Sequence, residues 1–86
     1  MPEISRFFGI VVRMYFNDHL PPHFHADYGE YKAEIGIETF DVLKGFLPQR
    51  VYGLTLEWAA LHRNELRKDW ERARQKQSLE PIAPLE

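Results

Sequence analysis

The chain begins with a run in which apolar residues dominate every second position and much of the rest, R-F-F-G-I-V-V-R-M-Y-F over residues 6–16. β-Branched and aromatic residues at this density predict a strand from Arg6 to Phe16. A two-residue period puts Phe8, Ile10, Val12, Met14 and Phe16 on one face, and Phe7, Gly9, Val11, Arg13 and Tyr15 on the other. With both faces largely apolar, the strand is expected to be central or to lie in an oligomer interface. Arg13, among apolar neighbours, requires a carboxylate or carbonyl partner. The segment N-D-H-L-P-P breaks the alternation, because proline gives no ladder donor and biases its neighbour toward extended backbone. A short strand is predicted from His23 to Tyr28. A turn at Asp27–Glu30 leads into a second over Tyr31–Ile37, with Tyr31, Ala33, Ile35 and Ile37 facing one way and Lys32, Glu34 and Glu38 marking a wet face. Thr39–Leu43 reads as one more. The connections are too short for helical crossovers, so three or four mostly antiparallel strands are expected.

The period then changes. Leu47, Val51, Leu54, Trp58 and Leu61 recur at spacings of three and four, and Leu66, Trp70 and Ala73 continue the stripe. This predicts amphipathic helix from about Pro48 to Lys76, with proline near the first turn and a kink or interruption near Asn64. Gly53 inside it costs about 1 kcal/mol relative to alanine, which a close helix–sheet approach would explain. Leu79, Ile82 and Leu85 repeat every third residue around Pro81 and Pro84, the period of an extended strap with one apolar edge. That strap packs on its own domain or docks on a partner. The fold class expected is therefore α+β: a three- to four-stranded sheet, a long helical region packed on it and a proline-containing tail. Residues 1–86 are read as a single domain, with a β-rich half at 1–45, a helical half at 46–78 and the tail at 79–86.

Composition narrows the function classes. The 86 residues include no cysteine, which removes disulfides, thiolate metal sites and cysteine nucleophiles. No apolar run is long enough to span a bilayer and no signal-peptide pattern opens the chain, so a cytoplasmic location without membrane contact is expected. The net charge of −2 argues against non-specific nucleic-acid binding by the whole surface. Its distribution is uneven. Residues 18–45 carry six acids and two lysines, whereas 61–76 carry six bases and three acids. Such asymmetry suits head-to-tail association, an acidic partner or an RNA phosphate, and equally a solvated helix face.

The chemically distinctive segment is D-H-L-P-P-H-F-H, which places His19, His23 and His25 within seven residues. His23 and His25, two apart on a strand, project from one face with Cα atoms about 6.5–7 Å apart and can converge on one divalent cation. His19 becomes a third metal ligand if Pro21-Pro22 folds it back, with Asp18 or His62 completing the shell and Asp18, Asp27 or a carbonyl holding free ring nitrogens. Two other readings stand beside this one. The histidines are polar residues on a half-exposed strand, or they form a metal-free acid–base or phosphate site with Arg6 or Arg13. The candidate catalytic residues are accordingly His23, His25 and Arg6. No P-loop, dinucleotide fingerprint or serine-nucleophile context is present.

The strings M-P-E-I-S-R-F-F-G-I-V-V-R-M-Y-F, N-D-H-L-P-P-H-F-H-A at 17–26, L-E-W-A-A-L-H at 56–62 and W-E-R-A-R…P-I-A-P-L together resemble the short bacterial proteins of domain of unknown function family 4160. The resemblance covers nearly the whole length. It implies a component of a small two-gene, toxin–antitoxin-like cassette, and marks Arg6, His19, Pro21, Pro22, His23 and His25 as the positions that matter. It brings no catalytic assignment with it. Two functions are thus expected. One is a protein-binding or regulatory module that pairs with itself or a small partner. The other is a small RNA- or phosphoester-directed enzyme using the histidine cluster, with or without a divalent metal ion.

Overall fold

A computed structural model describes residues 3–16 and 18–86; Asn17 and the first two residues of the opening string lie outside the described residues. Five strands, β1 (Glu3–Phe7), β2 (Ile10–Arg13), β3 (His23–Tyr28), β4 (Tyr31–Gly36) and β5 (Val42–Gly45), precede two helices, α1 (Gln49–Leu61) and α2 (Arg63–Arg74). The strands form one antiparallel sheet in sequential order, β1 to β5. The α+β class is as expected, with five strands rather than three or four.

The additional strand arises because the run 6–16 is a hairpin and not one strand. Phe7 pairs with Ile10 across a two-residue turn, Phe8-Gly9, in which both residues have positive φ (50° and 81°). Such turns match the twist of the flanking strands, and Gly9 enters this backbone region without steric cost. The fold-back moves Phe7 onto the buried face beside Ile10, while Phe8 and Phe16, expected on one face with Ile10, are exposed. The last strand is also displaced, from 39–43 to Val42–Gly45. Phe40 N–H donates to the Gly36 carbonyl at 2.9 Å and Gly36 N–H to that of Asp41 at 3.0 Å, which holds Thr39 and Phe40 in a tight loop.

Ile10, Val12, Phe24, Ala26, Ala33 and Ile35 line the inner face of the sheet and are buried. Trp58 of α1 packs on Phe7 and Phe24, with ring centroids 5.4 and 5.9 Å away. The predicted single helix is broken at His62, two residues before Asn64, where φ reaches −123° and the two helices meet. The break turns Leu61 outward to 68% exposure, and Thr55 and Ala59 join Val51 and Trp58 on the buried stripe instead. Thr55 satisfies its hydroxyl by donating to the Val51 carbonyl at 2.8 Å. Gly53 is exposed with nothing within 4 Å of a built Cβ, so no close helix–sheet approach explains it.

The tail lies on its own chain. Ile82 and Leu85 enter the core, and Ile82 N–H donates to the Ile4 carbonyl at 2.7 Å. Glu80 N–H donates to Asp69 Oδ1, and the Trp58 indole N–H donates to the Ala83 carbonyl at 2.8 Å. Of the two roles open to the strap, the structure therefore has the intramolecular one. Bases and acids separated in sequence also meet. Arg67 binds Glu38 through two hydrogen bonds, 2.6 and 2.7 Å, and Arg63 lies over the Phe40 ring while donating to the Ile37 carbonyl. Among the described residues no helix is long and apolar enough to cross a membrane.

Candidate metal centre

Alternation along β3 sends Phe24 and Ala26 into the core and His23, His25 and Asp27 to the other face. Register then selects their neighbours. His25 lies opposite Arg13 of β2 on one side and Glu34 of β4 on the other, and His23 lies opposite Gly36. The loop between β2 and β3 returns over this end of the sheet and delivers Asp18 and His19. Three imidazoles and two carboxylates converge.

Asp18 Oδ2 lies 2.8 Å from His25 Nε2 and 3.1 Å from His23 Nε2, while Oδ1 accepts the His19 backbone N–H at 2.9 Å. Glu34 Oε1 is 3.5 Å from His19 Nε2 and 3.7 Å from His23 Nε2. The His19 ring stacks on His23 with centroids 4.7 Å apart, and Trp70 packs against His23 at 5.3 Å. Tyr15 meets the His25 ring edge-on at 4.4 Å. Burial is graded across the cluster, from His23 fully enclosed, through Asp18, Glu34 and His25, to His19 at 63% side-chain exposure. Partial burial raises the cost of ionising Asp18. The hydrogen bonds from His25 and from the His19 backbone, with the attraction of His23 and His25, outweigh it and hold the carboxyl below its ordinary value of 3.8.

Two overlapping sets, Asp18–His23–His25 and His19–His23–Glu34, each keep their ligand atoms within 4.8 Å of one another. Ligands of a zinc-sized ion in a tetrahedral shell sit about 3.3 Å apart, given bonds of about 2.0–2.1 Å. The carboxylate–imidazole separations of 2.8–3.7 Å bracket that value. His23 is also oriented from behind, since its Nδ1 lies 2.7 Å from the Pro21 carbonyl. A carbonyl only accepts, so Nδ1 carries the proton and Nε2 turns toward the carboxylates, the arrangement by which outer partners aim metal-ligating histidines.

The other candidates fall elsewhere. Arg6, on edge strand β1 two strands from β3, is exposed and donates to Glu3 at 2.8 and 3.0 Å. His62 bonds Glu65 at 2.6 Å and packs on Trp58, so it completes no shell with the other histidines. Arg13 has the carboxylate partner it required, Asp27, and Asp27 is thereby engaged away from the ring nitrogens. Glu34 belongs to the cluster although its alternation alone marks it as a wet residue. A two-residue turn at Gly29-Glu30 pairs Tyr28 with Tyr31 and hence His25 with Glu34, so hairpin register was the signal.

Comparison with curated proteins and with solved structures finds no match. A family model described as Domain of unknown function (DUF4160) matches residues 9–71, from the first hairpin turn into α2 and across every residue of the histidine–carboxylate cluster, and the chain belongs to that family.

Proposed function

We propose that the protein is a metal-binding domain in which His19, His23 and His25, with Asp18 and Glu34, hold one divalent transition ion. One observation carries the reading. His23 is fully buried, its Nδ1–H is committed to the Pro21 carbonyl, and its Nε2 faces Asp18 Oδ2 at 3.1 Å. In the neutral imidazole those are two acceptors face to face, which only a cation or a second proton reconciles. Three imidazoles and two carboxylates suit ions of the zinc, iron, nickel and copper group, whereas magnesium and calcium prefer all-oxygen shells.

Protein purified without a histidine tag and dialysed against zinc, nickel, iron or manganese is expected to retain one equivalent of at least one of them. His19→Ala and Glu34→Gln, both at partly accessible positions, are expected to weaken binding by about tenfold or more. His23→Ala should abolish it, with circular dichroism as the check on folding. Sub-stoichiometric metal that ignores all three substitutions would mean that the cluster is an imidazolium–carboxylate network. Catalysis on RNA or another phosphoester would use this same centre, with His23 and His25 at the ion and without Arg6.

A second reading, the protein-binding module, keeps one specific support. The tail no longer argues for it, but β5 is an edge strand whose four residues are all exposed, with Phe46 and Tyr31 in contact beside it. A strand of a second copy would pair along that edge. Membership in a two-gene cassette is an expectation from the family resemblance, and this edge is the surface that would serve it.

A further inference from the structure

The outer face of the sheet continues past the histidines. Arg13, His25, Glu34 and Lys44 are successive cross-strand partners from β2 to β5, and Asp27 and Lys32 form the next row. Between the rows lies an open depression of about 280 Å³. Tyr15, His25, Asp27, Lys32, Glu34 and Lys44 stand at its walls, and Ala33 and Gly45 also line it. Register would ordinarily neutralise both lysines, because Lys32 stands opposite Asp27 and Lys44 opposite Glu34. Those carboxylates are engaged elsewhere: Asp27 binds Arg13, and Glu34 faces His19 and His23.

We infer that this depression receives the phosphoryl group of a small ligand, held by Lys32 and Lys44 directly beside the metal centre. Lys32 and Lys44, on neighbouring strands, line the same depression as His25 and Tyr15, and no carboxylate lies within ion-pair distance of either lysine among the described residues. Lysines bind a phosphoryl oxyanion as point charges, whereas recognition of a planar carboxylate favours the arginine fork, which this depression lacks. The depression is also open toward solvent, so a substituent esterified to the phosphoryl group has room to leave it. The inference rests on the metal reading, because a bound divalent ion offsets the negative charge of Asp18 and Glu34, which would otherwise repel an anion at this wall.

Titration of inorganic phosphate into the zinc-loaded protein, followed by amide chemical shifts, tests it. Shifts are expected at Lys32, Ala33, Lys44 and Gly45, with affinity reduced about tenfold by Lys32→Ala or Lys44→Ala and unchanged by Lys68→Ala on α2. Zinc content should stay at one equivalent in all three variants. A mononucleotide titrated in parallel separates the ligand sources: tighter binding than inorganic phosphate identifies an ester, and equal binding a free anion. Stoichiometric zinc with no phosphate shifts, or with shifts that Lys68→Ala weakens as much as Lys44→Ala, overturns the anion site and leaves the metal centre standing. Lysine-dependent phosphate shifts in a protein that retains none of zinc, nickel, iron and manganese support the anion site and overturn the metal reading. A protein that retains none of the four metals and shows no phosphate shifts overturns both.

Discussion

Two glycines show how the same residue type carries opposite consequences. Gly45 has a φ of +86°, and a Cβ there would stand 2.1 Å from the Lys32 carbonyl oxygen. A backbone atom cannot step aside as a flexible side chain can, and an L side chain is strained at that φ in any case. Gly45→Ala is therefore expected to destabilise the protein by about 2–4 kcal/mol. Gly53 lies within α1 with nothing near its missing side chain, so Gly53→Ala is expected to stabilise by about 1 kcal/mol. Urea denaturation of the pair checks both signs. The same contrast separates what could be read at single residues. His23 and His25 share a face because they are two apart on a strand, which needs no tertiary information. That His23 Nε2 meets Asp18 depends on the path of the β2–β3 loop, which no local spacing encodes.

Element boundaries failed where a residue's type concealed its backbone role. Phe8 looks like a strand residue, yet it occupies a turn at positive φ, so one apolar run becomes a hairpin. The continuous helical stripe likewise hid the break at His62, because Trp58 and Leu66 are buried whether or not one helix joins them. The tail was legible as an extended strap with Leu79, Ile82 and Leu85 on one edge, but not its destination. Ile82 is 4% exposed against its own core, so Ile82→Ala is expected to cost about 2–4 kcal/mol of stability. Its sedimentation behaviour should match that of the parent chain. A loss of assembly without a loss of stability would instead place the tail in an interface.

At the scale of the molecule, the charge asymmetry looks different once folded. The acidic 18–45 segment and the basic 61–76 segment touch through Glu38 and Arg67, Asp18 and Glu34 lie among the histidines, and Asp27 pairs with Arg13. Head-to-tail attraction therefore has less free charge to draw on than the linear pattern suggests. One surface open to association is the β5 edge, with Val42 and Leu43 each 40% exposed and Phe46 62%. Sedimentation at high micromolar concentration is expected to show a dimer that Val42→Lys converts to monomer, since a charge on an edge strand opposes pairing. A parent chain that is monomeric under those conditions and retains no partner in a pulldown removes the second functional reading.

Periodicity and composition, being properties of neighbours along the chain, were enough for the α+β class, the β3–β4 hairpin, the buried helical stripe and a pair of histidines on one sheet face. The remaining decisions depended on residues distant in sequence, because a contact between them is chosen only when the whole core closes. Folding brought Asp18 and Glu34 to the imidazoles, engaged Arg6 with Glu3, bound the tail beneath Trp58 and left Lys32 and Lys44 beside the cluster.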